Sequence, residues 1–150
     1  MAQLEVVLDT NILVAGLRSK RGAAARLLAL VGTDRFGINL SVPVVLEYEA
    51  VLLRPELNIP ISPEAIADVL DYHCSVARHH EIFFLWRPQL KDPGDDMLLE
   101  LAVKAGCRYI ITYNERDFAG CERFGIEAIT PGAFLRHIGD YDDHAEPSTS

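Results

Sequence analysis

Short apolar runs alternate with helical patterns along the chain, and this alternation constrains the fold more than any other feature. Five short, largely apolar runs are expected to be strands, at 4–8, 36–42, 82–86, 109–112 and 126–130. Helices are expected at 11–17, 23–31, 43–53, 61–81, 92–106 and 130–139. Strands that alternate with helices form βαβ units. The chain is therefore expected to be an α/β protein with a central, mostly parallel sheet of four to five strands.

The length and composition are typical of one globular domain. The chain has 150 residues, of which 49% are hydrophobic and 24% charged, enough for one sizeable core. We expect a single domain over residues 1–139 and a disordered tail over 140–150, which is acidic, polar and without periodicity. No apolar run approaches the roughly 20 residues that span a bilayer, and no secretion signal is recognisable. We expect a cytoplasmic protein without a membrane partner.

The cysteines and the net charge limit the function. Cys74, Cys107 and Cys121 form no C-x-x-C pair, which argues against a disulfide framework and against a zinc knuckle. The net charge of −8 counts against nucleic-acid binding, because phosphate binding normally needs a basic surface. Carboxylates that surround metal ions are an exception, since the ions present a positive site to a phosphate.

Polar side chains follow four of the expected strands. They are Asp9, Thr10 and Asn11 after the first strand, Glu47 after the second, Asp92, Asp95 and Asp96 after the third, and Thr112, Asn114, Glu115 and Asp117 after the fourth. Right-handed crossovers place the carboxyl ends of parallel strands along one edge. Ligands bind outside that edge, near the topological switch point. We therefore expect these side chains to meet in one cleft.

Several of these positions also have a purely structural interpretation. Asp9 or Thr10 would suit the N-cap of the first helix, and Asp95 or Asp96 would suit the N-cap of a helix beginning near Met97. Such a cap would stabilise its helix by roughly 1 kcal/mol. Taken one at a time, these residues do not require a site.

The convergence of the acids favours a metal site. Several carboxylates in one cleft repel each other and disfavour folding unless a cation neutralises them. Oxygen ligands without a matching Cys or His select hard ions, so Mg²⁺ or Mn²⁺ is the expected cofactor. Glu47 and Glu49 flank the same apolar helix face, and the periodicity leaves open which of them reaches the cleft.

Four motifs, taken in order, resemble those of the PIN-domain nucleases. The motifs are VVLDTNILVAGL (6–17), VLEYEAVL (45–52), DPGDDMLLELAVKAGCRYIIT (92–112) and TYNERDF (112–118). More narrowly, the chain is similar over about residues 4–138 to the toxin components of bacterial toxin–antitoxin pairs, related to the VapC group. The resemblance implies a three-layer α/β/α sandwich and metal-dependent cleavage of RNA.

The resemblance also assigns roles to residues. Asp9, Glu47 and Asp96 match the three acids that bind the metal, which selects Glu47 over Glu49. Three further residues match small polar positions of the family that support the acids or contact phosphate. They are Thr10, Asn11 and Thr112.

The motif TYNERDF departs from the family pattern. Many members carry Asp where this chain has Asn114, whose carbonyl oxygen can bind a metal without adding charge. Asp117 either supplies the fourth carboxylate or caps the following turn. We expect Asn114 among the metal ligands and Asp117 among the catalytic acids. Whether one ion binds, or two about 3.5–4 Å apart, is left open.

Positive charge for holding RNA must come from outside the acids. The best local candidate is GLRSKRG (16–22), which carries Arg18, Lys20 and Arg21 after the first helix. The alternative is a solvated basic loop without a role in binding.

The resemblance implies that water attacks the RNA phosphodiester, leaving a 5′-phosphate and a 3′-hydroxyl. It also implies an antitoxin partner, bound at the acidic cleft, and a homodimer. A catalytically idle PIN-like module that binds proteins is the alternative, and Asn114 and the acidic total favour it slightly. An aspartyl-phosphate phosphatase or receiver domain is less consistent, because the first strand is followed by no second acid and YIIT (109–112) by no lysine.

Overall fold

The computed structural model describes residues 3–82 and 90–140. The five strands in this part of the chain are β1 (Glu5–Leu8), β2 (Gly37–Leu40), β3 (Arg78–His79), β4 (Tyr109–Ile111) and β5 (Glu127–Ile129). They form one sheet in the order β3-β2-β1-β4-β5, and every neighbouring pair is parallel. The expected parallel sheet is confirmed.

Helices cover both faces of the sheet. In the described ranges they are α1 (Thr10–Arg18), α2 (Ala23–Leu30), α3 (Val42–Leu52), α4 (Pro63–Val76), α5 (Pro93–Ala105) and α6 (Pro131–His137). Helix α2 contacts α1 and α6, α3 contacts α4 and α5, and α5 packs on β1, β2 and β4. The expected three-layer α/β/α sandwich is confirmed. No helix in the described residues is both long and apolar enough to cross a membrane.

The central strands have continuous apolar sequences because helices cover them on both faces. Val6 and Val7 of β1 are fully buried, and so are Ile110 and Ile111 of β4. These strands do not alternate apolar and polar residues, as the strands of a sheet with one face in water would. They instead form the centre of the hydrophobic core.

Two helix starts show how local sequence sets the helix boundaries. Ser62 accepts a hydrogen bond on Oγ from the N–H of Ala65 (3.1 Å), as expected for the N-cap of α4. Asp92 accepts one on Oδ1 from the N–H of Gly94 (2.7 Å) and caps α5. In both helices proline is the first helical residue, where its missing N–H has no partner to lose.

The prediction that Asp95 or Asp96 caps a helix near Met97 is wrong. Helix α5 begins at Pro93, so both acids lie inside its first turn. Asp92 is the N-cap, because Pro93 occupies the first helical position, which proline favours.

The predicted helix over 61–81 extends too far. Helix α4 ends at Val76, and Arg78 and His79 form β3 beside β2. The backbone N–H of His80 continues the pairing by donating to the carbonyl of Leu40 (2.9 Å). Pairing with β2 satisfies the backbone hydrogen-bonding groups of residues 78–80. These residues carry no apolar face at helical spacing that would favour a continued helix. The strand predicted at 82–86 lies, from residue 83 onward, outside the described residues.

Asp140, the last described residue, packs against the domain. Asp140, the first residue of the expected tail, is buried, and its Oδ2 accepts a hydrogen bond from Nε of Arg26 (2.9 Å). Residues 141–150 lie outside the described residues.

The strand order defines one topological switch point. From β1 the chain proceeds to β2 and β3 on one side, and then to β4 and β5 on the other side. The carboxyl ends of β1 and β4 therefore border the crevice where ligands bind in such sheets.

Candidate active site at the switch point

Asp9 follows β1 directly at the switch point and is held by β4. Its N–H donates to the carbonyl of Ile111 (2.9 Å), and its Oδ2 accepts a hydrogen bond from Oγ1 of Thr112 (2.7 Å). The residue stands at the N-cap of α1, yet its side chain makes no capping hydrogen bond of good geometry. Asp9 is 8% exposed. Burial raises its pKa, against the lowering effects of the Thr112 hydroxyl and the following backbone amides.

The hydroxyl of Thr112 connects Asp9 to the turn after β4. It donates its proton to Asp9 and accepts from the N–H of Asn114 (2.9 Å) and, more weakly, from Nδ2 of Asn11 (3.5 Å). Asn11 also accepts on Oδ1 from the N–H of Tyr113 (3.4 Å). These contacts suit the supporting role expected of Thr112 and Asn11, which stays a prediction.

Asp95 in the first turn of α5 lies among acids from several segments. Burial first, and then the charges of Asp9, Asp92, Asp117 and Asp96, raise the pKa of Asp95 to about 7. Asp95 and Asp117 also line the same cavity of about 470 Å³. The segments that follow β1 and β4 and the start of α5 thus bring acids together, as expected from the strand ends.

Asp96 has a different partner. Its Oδ1 accepts a hydrogen bond from the N–H of Leu90 (3.0 Å). Asp95 precedes the buried Leu98 by three residues and the buried Ala102 by seven, so it shares the face of α5 that packs inward. Asp95 was expected at this edge of the sheet but not among the metal ligands, and its spacing from the buried residues of α5 is the signal in the sequence that identifies it. The metal-binding role of Asp96 stays a prediction.

Glu47 approaches the site from α3. A Cβ atom built on Gly94 would lie 3.8 Å from Oε2 of Glu47, which places this carboxylate near the start of α5. The adjacent Tyr48 is buried, and its hydroxyl donates to the carbonyl of Leu8 (2.5 Å), which ties α3 to the end of β1. Burial, with a smaller contribution from Asp9, strongly raises the pKa of Tyr48, so its phenol stays protonated. Glu49 is exposed.

The turn after β4 carries Asn114, which departs from the family pattern, and Asp117, the candidate for the fourth carboxylate. Asn114 is exposed and precedes the 3₁₀ turn Glu115–Phe118, which includes Asp117. The negative charge of Asp117 raises the pKa values of both Asp9 and Asp95. Asp117 therefore lies at the acid cluster, and Asn114 lines an adjoining cavity of about 610 Å³.

The expected basic residues lie away from the acids. Thr10 begins α1 at the switch point, whereas Arg18 ends this helix, about 12 Å farther along its axis at 1.5 Å per residue. Arg18, Lys20 and Arg21 are all exposed there. The structure thus brings Thr10 to the site but not these three cations.

Two cations that were not expected at the site line the acidic cavity. They are Lys91, just before the cap of α5, and Arg116, directly before Asp117. The position of Arg116 inside the TYNERDF motif was the available signal.

The donor set fits a hard divalent ion. The available groups are carboxylate oxygens, and the raised pKa values of Asp9 and Asp95 reflect burial and crowded negative charge that a cation would relieve. Within residues 3–82 and 90–140, no group of three or more His, Cys, Asp or Glu is arranged to hold an ion. Mg²⁺ is commonly bound through one or two carboxylates and keeps several waters, so this arrangement remains compatible with it.

Comparisons with known proteins agree with this architecture. The PIN domain family model matches residues 5–116, about three quarters of the chain. No curated protein matches the chain. Among solved structures, the chain is similar to VapBC2 from Rickettsia felis bound to a DNA fragment from its promoter, at a TM-score of 0.54 and 15% identity over 85% of this chain and 98% of that chain. At such low identity the likeness shows the fold alone. By the family match and the fold together, this chain belongs to the PIN-domain family.

Proposed function

We propose that this protein is a metal-dependent endoribonuclease and the toxin of a toxin–antitoxin pair, acting in the cytoplasm. The observation that carries the proposal is the accumulation of negative charge at the switch point, where Asp95 and Asp117 line one cavity. Burial, and then the charges of neighbouring acids, raise the pKa values of Asp9 and Asp95. Acids gathered in this way destabilise a fold without a cation. Membership in the PIN-domain family supports a nuclease as the activity that uses such a cation.

The expected metal ligands are Asp9, Glu47, Asp96 and Asn114, and the structure adds Asp95 as a further candidate. These residues would hold Mg²⁺ or Mn²⁺, which would supply a water of lowered pKa and positive charge for the scissile phosphate.

The chain's own groups hold this centre in position. The Thr112 hydroxyl orients the Asp9 carboxylate by its 2.7 Å hydrogen bond. Asp117 supplies a carboxylate to the same cavity as Asp95. Attack by water requires no nucleophilic side chain, which suits a cluster of carboxylates.

The deciding experiment is cleavage of single-stranded and structured RNA with Mg²⁺ or Mn²⁺ by wild type and by Asp9→Asn prepared identically. Cleavage by wild type that EDTA and the substitution both abolish would support the proposal. Equal cleavage by both preparations would identify a contaminating nuclease, and no cleavage by either over many RNAs would contradict the proposal.

Matched pairs of variants test which acids bind the ion. Glu47→Gln should abolish cleavage, and Glu49→Gln, on the exposed side of the same helix, should not. Asp96→Asn and Asp95→Asn should be compared in parallel. Loss in Asp96→Asn alone would favour the family assignment, and loss in Asp95→Asn alone would favour the acid whose pKa responds to the charge of Asp9.

An antitoxin that inserts a positively charged segment into the acidic cleft would suit its charge. The similar VapBC2 structure is bound to a fragment of promoter DNA, which is consistent with an antitoxin partner here. A homodimer is also proposed. Co-purification with the product of an adjacent small open reading frame, and light scattering of the isolated protein, test these two assemblies.

The second candidate is an idle PIN-like module that binds proteins. It is favoured by Asn114, which adds no charge where a fourth acid is common, and by the net charge of −8. A metal-independent thermal midpoint together with inactivity on RNA would select it.

A further inference from the structure

Two cavities at the switch point share one pair of residues. The first, of about 470 Å³, lies between the start of α5 and the turn after β4 and includes Lys91 and Asp95. The second, of about 610 Å³, is lined by residues of that turn, from Tyr113 to Asp117. Arg116 and Asp117 line both. The cavities are therefore adjoining parts of one groove, with the acid cluster at Asp117.

The side chains that line this groove are mixed in charge, with the cations Lys91 and Arg116 beside the acids Asp92, Asp95, Glu115 and Asp117. Arg116 is an exposed guanidinium immediately beside a carboxylate of the site, and its planar fork of donors matches two phosphate oxygens. Lys91 adds a second positive charge in the first cavity. Tyr113 and Asn114 line the second cavity, where an aromatic ring and an amide can contact a base.

We propose that this groove is the path of the RNA strand, and that Arg116 binds a phosphate next to the one that is cut. The proposal rests on the proposed function, because the cut phosphate is placed at the acids. Lys91 contributes to the same path on the α5 side. Arg18, Lys20 and Arg21 at the far end of α1 are then not the main phosphate contacts.

The test is the salt dependence of RNA binding, which is independent of cleavage. A fluorescently labelled single-stranded RNA of mixed sequence is titrated with protein and followed by anisotropy at several salt concentrations. Ca²⁺ replaces Mg²⁺, because carboxylate oxygens also bind Ca²⁺, and the RNA is checked for integrity after each titration. Arg116→Ala is compared with Arg54→Ala, an equal loss of charge at an exposed residue beyond the far end of α3.

Arg116→Ala should weaken binding roughly tenfold, as for loss of one charge-assisted hydrogen bond. The slope of log K against log salt should fall in magnitude by about 0.7, the value for one phosphate contact on a single strand. Arg116→Lys should keep the slope and lose part of the affinity. Arg54→Ala should behave as wild type.

Other outcomes would overturn the proposal in distinguishable ways. An unchanged slope in Arg116→Ala, with a reduced slope in a triple Ala variant of Arg18, Lys20 and Arg21, would move the RNA path to the end of α1. A wild type that binds no RNA would overturn the proposed function together with the inference. If Arg116→Ala lowers the thermal midpoint, Arg116→Gln is used for the same comparison.

Discussion

Replacing Asp95 with Asn should stabilise the metal-free protein above neutral pH. The pKa of Asp95 is raised from 3.8 to about 7 in the folded protein, chiefly by burial and then by the charges of Asp9 and other acids. A shift of this size corresponds to about 4 kcal/mol if it is fully expressed. Asp95 is only partly buried, so solvent screening reduces the expected gain to about 1–2 kcal/mol.

The sign of the effect follows from proton binding. Between about pH 4 and 7 the folded state keeps the proton on Asp95 that the unfolded state releases, so this group lowers the free energy of unfolding as pH rises. Its stabilising contribution is complete below pH 3.8 and lost once pH passes about 7. Asn cannot ionise, so the advantage of Asp95→Asn should grow across this window and then level off.

Urea unfolding in EDTA at about pH 5 and about pH 8 measures this difference. Asp68→Asn, on the exposed side of α4, is the matched control for the loss of one carboxylate away from the site. Saturating Mg²⁺ should remove the advantage of Asp95→Asn, because the ion neutralises the same charges. A variant that is no more stable than wild type at the higher pH in EDTA would refute the reasoning.

Three further perturbations test the parts of the site. Thr112→Val should destabilise the protein by about 1–3 kcal/mol in urea unfolding, because the buried Asp9 loses its hydroxyl donor; an unchanged midpoint would contradict this. Tyr48→Phe should cost about 1–2 kcal/mol through the lost bond to the Leu8 carbonyl, and more than Tyr72→Phe, whose tyrosine is half exposed. Mn²⁺ at a hundredfold excess over its Kd should stabilise wild type by about 2.7 kcal/mol in a thermal melt, and an equal shift in Asp9→Asn would place the ion elsewhere.

Features that depend on neighbouring residues could be predicted from the sequence. The N-cap at Ser62 and the apolar run of β1 are of this kind, because a cap bonds within its own first turn and a strand buried on both faces has few polar residues. The strand-end rule likewise led to Asp9 and Thr112. These two lie 103 positions apart in the chain and form a 2.7 Å hydrogen bond.

Features that depend on distant segments could not be predicted. Helix α4 ends at Val76 because β2 offers a pairing partner to Arg78 and His79, which the helical pattern could not show. The basic residues of the α1–α2 connection were selected for their local charge, yet Arg116 lines the acidic cavity. The charge of a residue can be read from the sequence. Its distance from the acids of the site depends on how α1 and α5 pack on the sheet.

The sequence by itself determined the α/β class, the order of the elements and the edge of the sheet at which the acids collect. These follow from periodicity and from the handedness of βαβ crossovers, which act on every chain of this pattern. Only the tertiary structure decided that the charge of Asp9 acts on Asp95 while Asp96 accepts a hydrogen bond from the N–H of Leu90. Adjacent helical residues differ by about 100° around the axis, and the packing of α5 on β1, β2 and β4 sets which of them faces the site.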